Sequence, residues 1–134
     1  MVLAEREEKV VPTGRLWGLR GAVQVDRNAA VPILAATREL LIELIERNGL
    51  DSGDFVSVIF TCTDDLNAEF PAVAARELGL DHVPLLCNRE MDVPGAMPRV
   101  IRVLAHYYAP ADHRPEHVYL GATRALRADL HSAQ

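Results

Sequence analysis

The hydrophobic residues of this chain follow a period of two in some segments and a helical period in another. Residues 16–25, LWGLRGAVQV, have the pattern of a β-strand, whereas RNAAVPILAATRELLIELIERNG repeats its apolar positions at helical spacing. The apolar side chains of this second segment are Ile33, Leu34, Leu41, Leu44 and Ile45. Because Gly49 supplies a signal for the end of a helix, the pattern predicts one long helix over about residues 30–48.

The rest of the chain predicts four strands and a short helix. DFVSVIFTCT has the composition of a buried strand, DDLNAEFPAVAARELG predicts a loop and a short helix that ends at Gly79, and HVPLLC predicts a third strand. After the loop NREMDVPGAMP come a long strand at residues 99–108 and a last strand in HVYLGA, and TRALRADL is compatible with a helical turn. The predicted order is β-α-β-α-β-β-β.

This order predicts an α/β (α+β) fold in which a mixed β-sheet carries its helices on one face. The chain of 134 residues is the size of one domain, so we expect a single domain at residues 14–134. Residues 1–13 carry charges without periodicity, and we expect them to form a mobile N-terminal extension. Because one layer of helices leaves the other sheet face open, we expect a homo-oligomer with clefts between its subunits.

Composition and charge argue against several classes of protein. The 14 basic and 19 acidic side chains give a formal charge of -5, which disfavours a nucleic-acid binder. Cys62 and Cys87 lie in apolar segments without a CxxC spacing, so we expect reduced thiols rather than a zinc cluster or a disulfide. The first residues lack the apolar core of a signal peptide, and no long apolar run suggests a membrane span. These features predict a soluble, cytoplasmic protein.

Two arginines interrupt apolar strand segments. In VIRVLAHYY, Arg102 lies between Val100 and Leu104 on one strand face, and Arg20 lies inside the first strand segment. We expect both side chains to point inward, where a guanidinium is costly unless it is paired. Each could instead form an internal ion pair with an acid or lie on a wet face. Two further arginines would strengthen a binding site for an anion: Arg76 and Arg127.

Three more side chains could belong to such a site. Glu90 follows the third strand in CNREMD, near a strand end where ligands of open α/β sheets bind, although a solvated loop acid is the alternative. Tyr119 needs a partner for its hydroxyl if it is buried, which suits the edge of a cleft. Cys87 has no histidine nearby in sequence to act as a base, so a small core residue is the simpler interpretation.

The chain offers little for metal binding or proton transfer. His113 and His117 have the spacing of two ligands on one helical turn, but Pro115 between them breaks a helix. We therefore expect neither a metal nor another cofactor. A pocket rich in arginine, with one carboxylate, one tyrosine and one thiol, suits the recognition of a small dianion or a reaction that moves no proton.

Five short motifs occur in order along the chain: LRGA at 19–22, FPAVAARELG at 70–79, CNREMDVPG at 87–95, RVIRV at 99–103 and HVYLGATRALRADL at 117–130. Together they resemble the trimeric, non-helical class of monofunctional chorismate mutases. Jointly they are specific, although any one of them would be weak. The resemblance implies a trimeric pseudo α/β barrel and the conversion of chorismate to prephenate in aromatic amino-acid biosynthesis. This reaction is a unimolecular Claisen rearrangement without a covalent intermediate.

The resemblance also implies a role for each matching residue. Arg102 would be the cation beside the ether oxygen, where negative charge grows in the transition state. Arg20 and Tyr119 would each hold a substrate carboxylate, and Glu90 with the Cys87 region would hold the ring hydroxyl. Basic positions that attract the acid groups or close the site are matched by Arg76 and Arg127, and apolar wall positions by Phe70 and Leu126.

The chain departs from the family pattern at two positions. Val73 stands where a lysine is familiar, so substrate capture would depend more on Arg76 and Arg127. Leu86 stands where a small hydroxyl residue is familiar, which could change the polarity of the pocket floor. Two other hypotheses stay open: a trimeric imine deaminase of similar architecture, and a non-catalytic module that binds a small dicarboxylate. The combination of a cysteine and a glutamate in CNREMD favours the mutase over both.

Overall fold

The computed structural model describes residues 14–126, and the predicted extension at residues 1–13 lies outside the described residues. The described part contains five strands and two α-helices: β1 Gly14–Gln24, α1 Ala30–Arg47, β2 Phe55–Cys62, α2 Ala72–Ala75, β3 Leu85–Arg89, β4 Val100–Pro110 and β5 Val118–Tyr119. A π-helix, Arg76–Leu80, continues α2, and two 3-10 turns lie at Ser52–Asp54 and Gly121–Thr123. The predicted order of elements and the predicted α+β class are confirmed.

The strands form one mixed sheet in the order β3-β2-β4-β1-β5. β4 lies at its centre and pairs antiparallel with both β1 and β2. The outer pairs, β2 with β3 and β1 with β5, are parallel. Parallel strands cannot be joined by a hairpin, and the segment that contains α2 makes the crossover between β2 and β3. The sheet therefore places residues from distant parts of the chain beside β4.

The helices lie on one face of the sheet and enclose the apolar core. α1 contributes Ile33, Leu40, Leu41 and Leu44 at helical spacing, as its sequence pattern predicts. The sheet contributes alternate residues of its strands, and those of β2 and β4 are Val58, Phe60, Ile101, Val103, Ala105 and Tyr107. Neither described helix is both long and apolar enough to span a membrane.

Most of the opposite face of the described sheet is open, apart from a small buried cluster of Ala22, Val100 and Tyr119. The exposed large side chains of this face are Leu16 (46%), Leu86 (54%), Leu104 (38%) and Tyr108 (50%). In β4 the buried residues alternate with exposed ones, and Arg102 belongs to the exposed set. The prediction that the arginines point inward is therefore wrong. Arg102 lies on the open face because the neighbouring residues on both sides of it face the helices, and Arg20 lies half-buried on that same face.

β3 begins later than the sequence predicts. The predicted strand HVPLLC starts at residue 82, whereas the observed strand is Leu85–Arg89. The Val83 N–H donates to the Leu80 C=O, so the preceding turn continues to this point, and Pro84 has no N–H for a neighbouring strand. Because the strand continues to Arg89, Glu90 is the first residue after it.

β5 is shorter than the predicted segment HVYLGA. It consists of Val118–Tyr119 beside β1, and Gly121, with φ 56°, then turns the chain away from the sheet. The Thr123 hydroxyl donates to the Ala22 C=O at 3.0 Å. The segment after β5 therefore stays packed against β1.

Asn48 joins the end of α1 to the segment before β5. Its Nδ2 donates to the Leu44 C=O at 2.9 Å and to the Glu116 C=O at 3.0 Å, and its Oδ1 accepts the Glu116 N–H at 2.8 Å. The side chain is buried, so water would not readily replace it if it were removed.

We predict that Asn48→Ala lowers the free energy of unfolding by about 1–3 kcal/mol, because it leaves backbone donors and acceptors without partners. Arg47→Ala is the matched control, since Arg47 forms a half-exposed ion pair with Glu43 and should cost at most about 0.5 kcal/mol. Urea unfolding at equal protein concentration measures both variants. Equal losses of stability in the two would contradict the role of Asn48.

Candidate active site

A concave region of about 390 Å³ lies beside β4 on the open face of the sheet. Each of the five strands contributes a polar side chain, on the strand or directly after it: Arg20 of β1, Thr61 of β2, Glu90 after β3, Arg102 of β4 and Tyr119 of β5. We call this region the arginine pocket. The sequence predicts all of these except Thr61 as site residues, and the structure brings them together.

The register of the sheet assembles the arginine pocket. Ala22 of β1 and Thr61 of β2 are the direct partners of Arg102 on its two sides. Arg20 is the partner of Leu104, so it lies diagonal to Arg102 on the same face. Cross-strand pairing therefore places two guanidinium groups in one pocket.

Arg102 forms an ion pair with Glu90. The distance from Arg102 Nε to Glu90 Oε2 is 3.3 Å, and the two side chains are 44% and 28% exposed. A guanidinium has four further N–H groups on its two Nη atoms, in a fixed planar fork. Arg102 can therefore keep its contact with Glu90 and donate hydrogen bonds to an anion that enters from solvent.

Hydrogen bonds from two directions fix Glu90. Its backbone N–H donates to the Cys62 C=O at 2.8 Å, which attaches it to β2. Its Oε2 accepts the Thr61 hydroxyl at 2.7 Å, and its Oε1 accepts the Met91 N–H at 3.2 Å. The carboxylate is thus held beside β2 and β4, although it follows the end of β3.

Tyr119 forms another wall of the arginine pocket. Its side chain is buried in a small apolar cluster with Ala22, and Leu126 packs against this cluster. The backbone N–H of Arg20 donates to His117 Nδ1 at 3.0 Å, which ties β1 to the segment that leads into β5. The predicted wall residue Leu126 therefore lies beside the arginine pocket.

A second concave region, of about 300 Å³, lies between the ends of β2 and β3 and the loop before α2. Its lining includes Phe70 and Cys87, and we call it the thiol pocket. Phe70 is 66% exposed, so its ring is available to cover a ligand. Arg76, exposed at the end of α2, interacts electrostatically with Cys87. Two of the predicted site residues therefore line this second region, and Arg76 acts on one of them.

Asn28 holds the loop that carries Phe70. Its Oδ1 accepts the backbone N–H groups of Asn67 and Ala68, both at 3.0 Å. Its Nδ2 donates to Asn67 Oδ1 at 2.7 Å. A single side chain between β1 and α1 thus fixes one rim of the thiol pocket.

The two cysteines are free thiols, and burial favours the neutral form of both. Burial, with a smaller contribution from the neighbouring Cys87, raises the pKa of Cys62 to about 11. Burial also raises the pKa of Cys87, against the opposing effects of a hydrogen bond with the Ala72 backbone and of the Arg76 charge. Since the thiolate is the nucleophilic form, Cys87 suits a polar or packing contact rather than covalent chemistry.

The structure separates Cys87 from Glu90, although the family resemblance implies that they hold a ring hydroxyl together. Cys87 is the partner of Phe60 in the β2–β3 pair and packs against the core on the helix side of the sheet. Glu90 reaches the open face beside Arg102. Side chains an odd number of residues apart along a strand point to opposite faces. Within one chain the two therefore line different pockets.

The remaining predicted positions lie apart from the arginine pocket. Leu86 lies on the open face, opposite to the side chain of Cys87, because adjacent strand residues alternate in direction, and it does not line the arginine pocket. Val73 is half-buried in α2. Arg127 lies outside the described residues.

Sequence reasoning missed Thr61 as a part of the arginine pocket, and it missed His117 as the acceptor of the Arg20 backbone N–H. The alternation in FVSVIFTC places Thr61 on the face opposite to Phe60, and this pattern could have identified it once the open face was known. Within residues 14–126, no group of three or more His, Cys, Asp or Glu side chains could hold a metal ion. His113 instead contacts the Tyr107 hydroxyl at 2.7 Å.

Comparisons with known proteins agree on one family. Residues 16–130 match the family model described as chorismate mutase type I. The chain is 51% identical over 120 residues to the chorismate mutase AroH of Thermus thermophilus, covering 87% of this chain and 98% of that protein. It is 42% identical over 116 residues to the AroH of Bacillus subtilis (strain 168), covering 84% and 91%. A solved chorismate mutase from Clostridium thermocellum superposes with a TM-score of 0.77 at 44% identity, covering 81% of this chain and 98% of that one.

Proposed function

The chain belongs to the type I chorismate mutase family and converts chorismate to prephenate, and we propose that it does so with Arg102 as the cation that stabilises the transition state. The observation that carries this proposal is the arginine pocket, where two guanidinium groups and one carboxylate meet on an open sheet face. Family membership favours the mutase over the imine deaminase and the dicarboxylate-binding module.

The rearrangement breaks an ether C–O bond as a new C–C bond forms within the same molecule. Negative charge grows on the ether oxygen, so a fixed cation beside it stabilises the transition state more than the substrate. Arg102 suits this role because Glu90 contacts its Nε and leaves the N–H groups of the fork to meet the oxygen. The reaction, as proposed, transfers no proton between protein and substrate.

The other side chains of the arginine pocket would bind and orient the substrate. Arg20 and Tyr119 would hold its carboxylates, and the Glu90 carboxylate would accept a hydrogen bond from the ring hydroxyl. Leu126 would provide an apolar wall. Holding a flexible substrate in its reactive conformer converts binding into rate, because the entropy of orientation is lost before the chemical step.

We further propose a homotrimer in which the thiol pocket of one chain closes the arginine pocket of the next. Phe70, Arg76 and Cys87 match the family's site residues, but they lie away from the arginine pocket of their own chain. A single chain therefore offers the matched residues in two separate parts. The apolar side chains on the open face would be buried by such association, and a closed ring would use the same contact three times.

We predict that Arg102→Ala lowers kcat by at least about 10²–10³, or about 2.7–4 kcal/mol, because it removes a preorganised donor to the developing charge. Arg102→Lys should recover only part of the loss, since lysine restores the charge but not the planar fork. Turnover and thermal midpoint are measured on the same samples. Arg47→Ala, which removes an arginine from α1, is the control. A destabilised Arg102→Ala protein with near-normal turnover would reject the catalytic role.

We predict a nearly flat kcat from about pH 6 to 9, because general acid–base catalysis would instead give a bell. The raised pKa of Cys87 supports this expectation, since an acid with a raised pKa stays neutral to higher pH. Initial rates at saturating chorismate, with assembly checked at each pH by sedimentation, make the measurement. Two steep limbs in kcat for an intact assembly would contradict the mechanism.

We predict that mixed trimers restore activity lost in two different pockets. Arg102→Ala inactivates the arginine pocket, and the double variant Phe70→Ala/Arg76→Ala should inactivate the thiol pocket. If random mixing forms the trimers, about a quarter of the clefts pair two intact halves and regain activity. The measurement is chorismate turnover after the two variants are unfolded and refolded together, compared with each refolded alone. Sedimentation as a monomer, or no gain in trimers shown to be mixed, would contradict the shared cleft.

A further inference from the structure

Thr61 contacts the carboxylate that faces Arg102. Its Oγ1 donates to Glu90 Oε2 at 2.7 Å, and this same oxygen lies 3.3 Å from Arg102 Nε. Thr61 is also the direct partner of Arg102 in the β2–β4 pair. The three side chains therefore meet at one carboxylate oxygen.

The Thr61 hydroxyl has a better-defined position than the carboxylate it contacts. β2 has a neighbouring strand on each side, and a β-branched side chain has few rotamers. Glu90 follows the end of β3, and its longer side chain can turn about more bonds. The orientation of the Glu90 carboxylate therefore depends on this hydroxyl at Oε2, together with the longer contact of the Met91 N–H at Oε1.

We propose that Thr61 is a positioning residue for the rearrangement, which orients Glu90 and through it the Arg102 guanidinium. This inference rests on the proposed function, because it requires Arg102 to act on the substrate. A carboxylate without the hydroxyl bond can turn to accept two parallel N–H bonds from one guanidinium, the strongest arrangement for this pair. By occupying Oε2, Thr61 keeps the contact at Nε and leaves the Nη atoms for the substrate.

The proposal predicts an effect on kcat rather than on KM. Thr61 has one O–H to donate, and it is directed at Glu90. Its loss should therefore leave ground-state binding through Arg20 and Tyr119 nearly intact. The Glu90 carboxylate has several lone pairs, so it can still accept the ring hydroxyl after it turns. A misaligned Arg102 matters most when charge develops on the ether oxygen, which happens in the transition state.

The test uses the full chain with two substitutions at one position. Thr61→Val keeps the branched shape and removes the hydroxyl, and we expect kcat to fall by about tenfold with KM within about twofold. Thr61→Ser keeps the hydroxyl and should retain kcat within about twofold of the parent. Ser57→Ala is the matched control, because Ser57 lies in β2 with its hydroxyl 3.1 Å from His106, outside the arginine pocket. Ser57→Ala should leave kcat unchanged.

A double-mutant cycle with Glu90→Ala decides whether Thr61 acts through Glu90. If it does, Thr61→Val lowers kcat in the parent and has little effect once Glu90 is absent. The same loss in both backgrounds, or a loss in Thr61→Val no greater than in Ser57→Ala, would overturn the inference. If Arg102→Ala also leaves kcat unchanged, the proposed function fails as well. A large loss in Arg102→Ala with none in Thr61→Val would reject only the role of Thr61.

Discussion

Alternation along β4 is the constraint on which the rest of the structure depends. This central strand gives its odd-numbered residues from Ile101 to Ala109 to the core and Arg102 to the open face. The helices can cover only the apolar set, so the other face keeps its charges accessible. A shift of one residue in register would bury Arg102 under α1 and expose Val103, with a loss of both core and pocket. Stability and the geometry of the site therefore have the same origin.

The two pockets differ in the elements that hold their side chains in place. The arginine pocket is built on strands, where cross-strand pairing sets the distance between charged groups. The thiol pocket is bordered by a loop that Asn28 holds through backbone hydrogen bonds. Charge stabilisation needs fixed positions, whereas the groups that cover a substrate must also let it enter. In the proposed trimer, Arg102 on a strand of one chain would face Phe70 on a loop of the next chain.

The sequence predicts the order of elements and the grouping of Arg20, Glu90 and Arg102, because period and motif spacing depend on local chemistry. It does not predict which strand face is covered. The even-numbered set of β4 also contains apolar side chains, Val100, Leu104 and Tyr108, so alternation alone does not identify the face that the helices cover. The sequence does not predict Thr61 as a site residue, because threonine is common in strands. Its role depends on the position of Glu90 beside β2, which only the folded structure shows.

The open face also has a consequence for how this protein is made in the cell. Leu16, Leu104 and Tyr108 are exposed in the single chain, and in the proposed trimer they would stay exposed on a newly synthesised chain until it associates. Exposed apolar sheet surface favours wrong association during this interval. Arg20 and Arg102 interrupt that surface with positive charge, which disfavours the stacking of identical faces at random. The side chains assigned to the substrate would thus also protect the immature chain from aggregation.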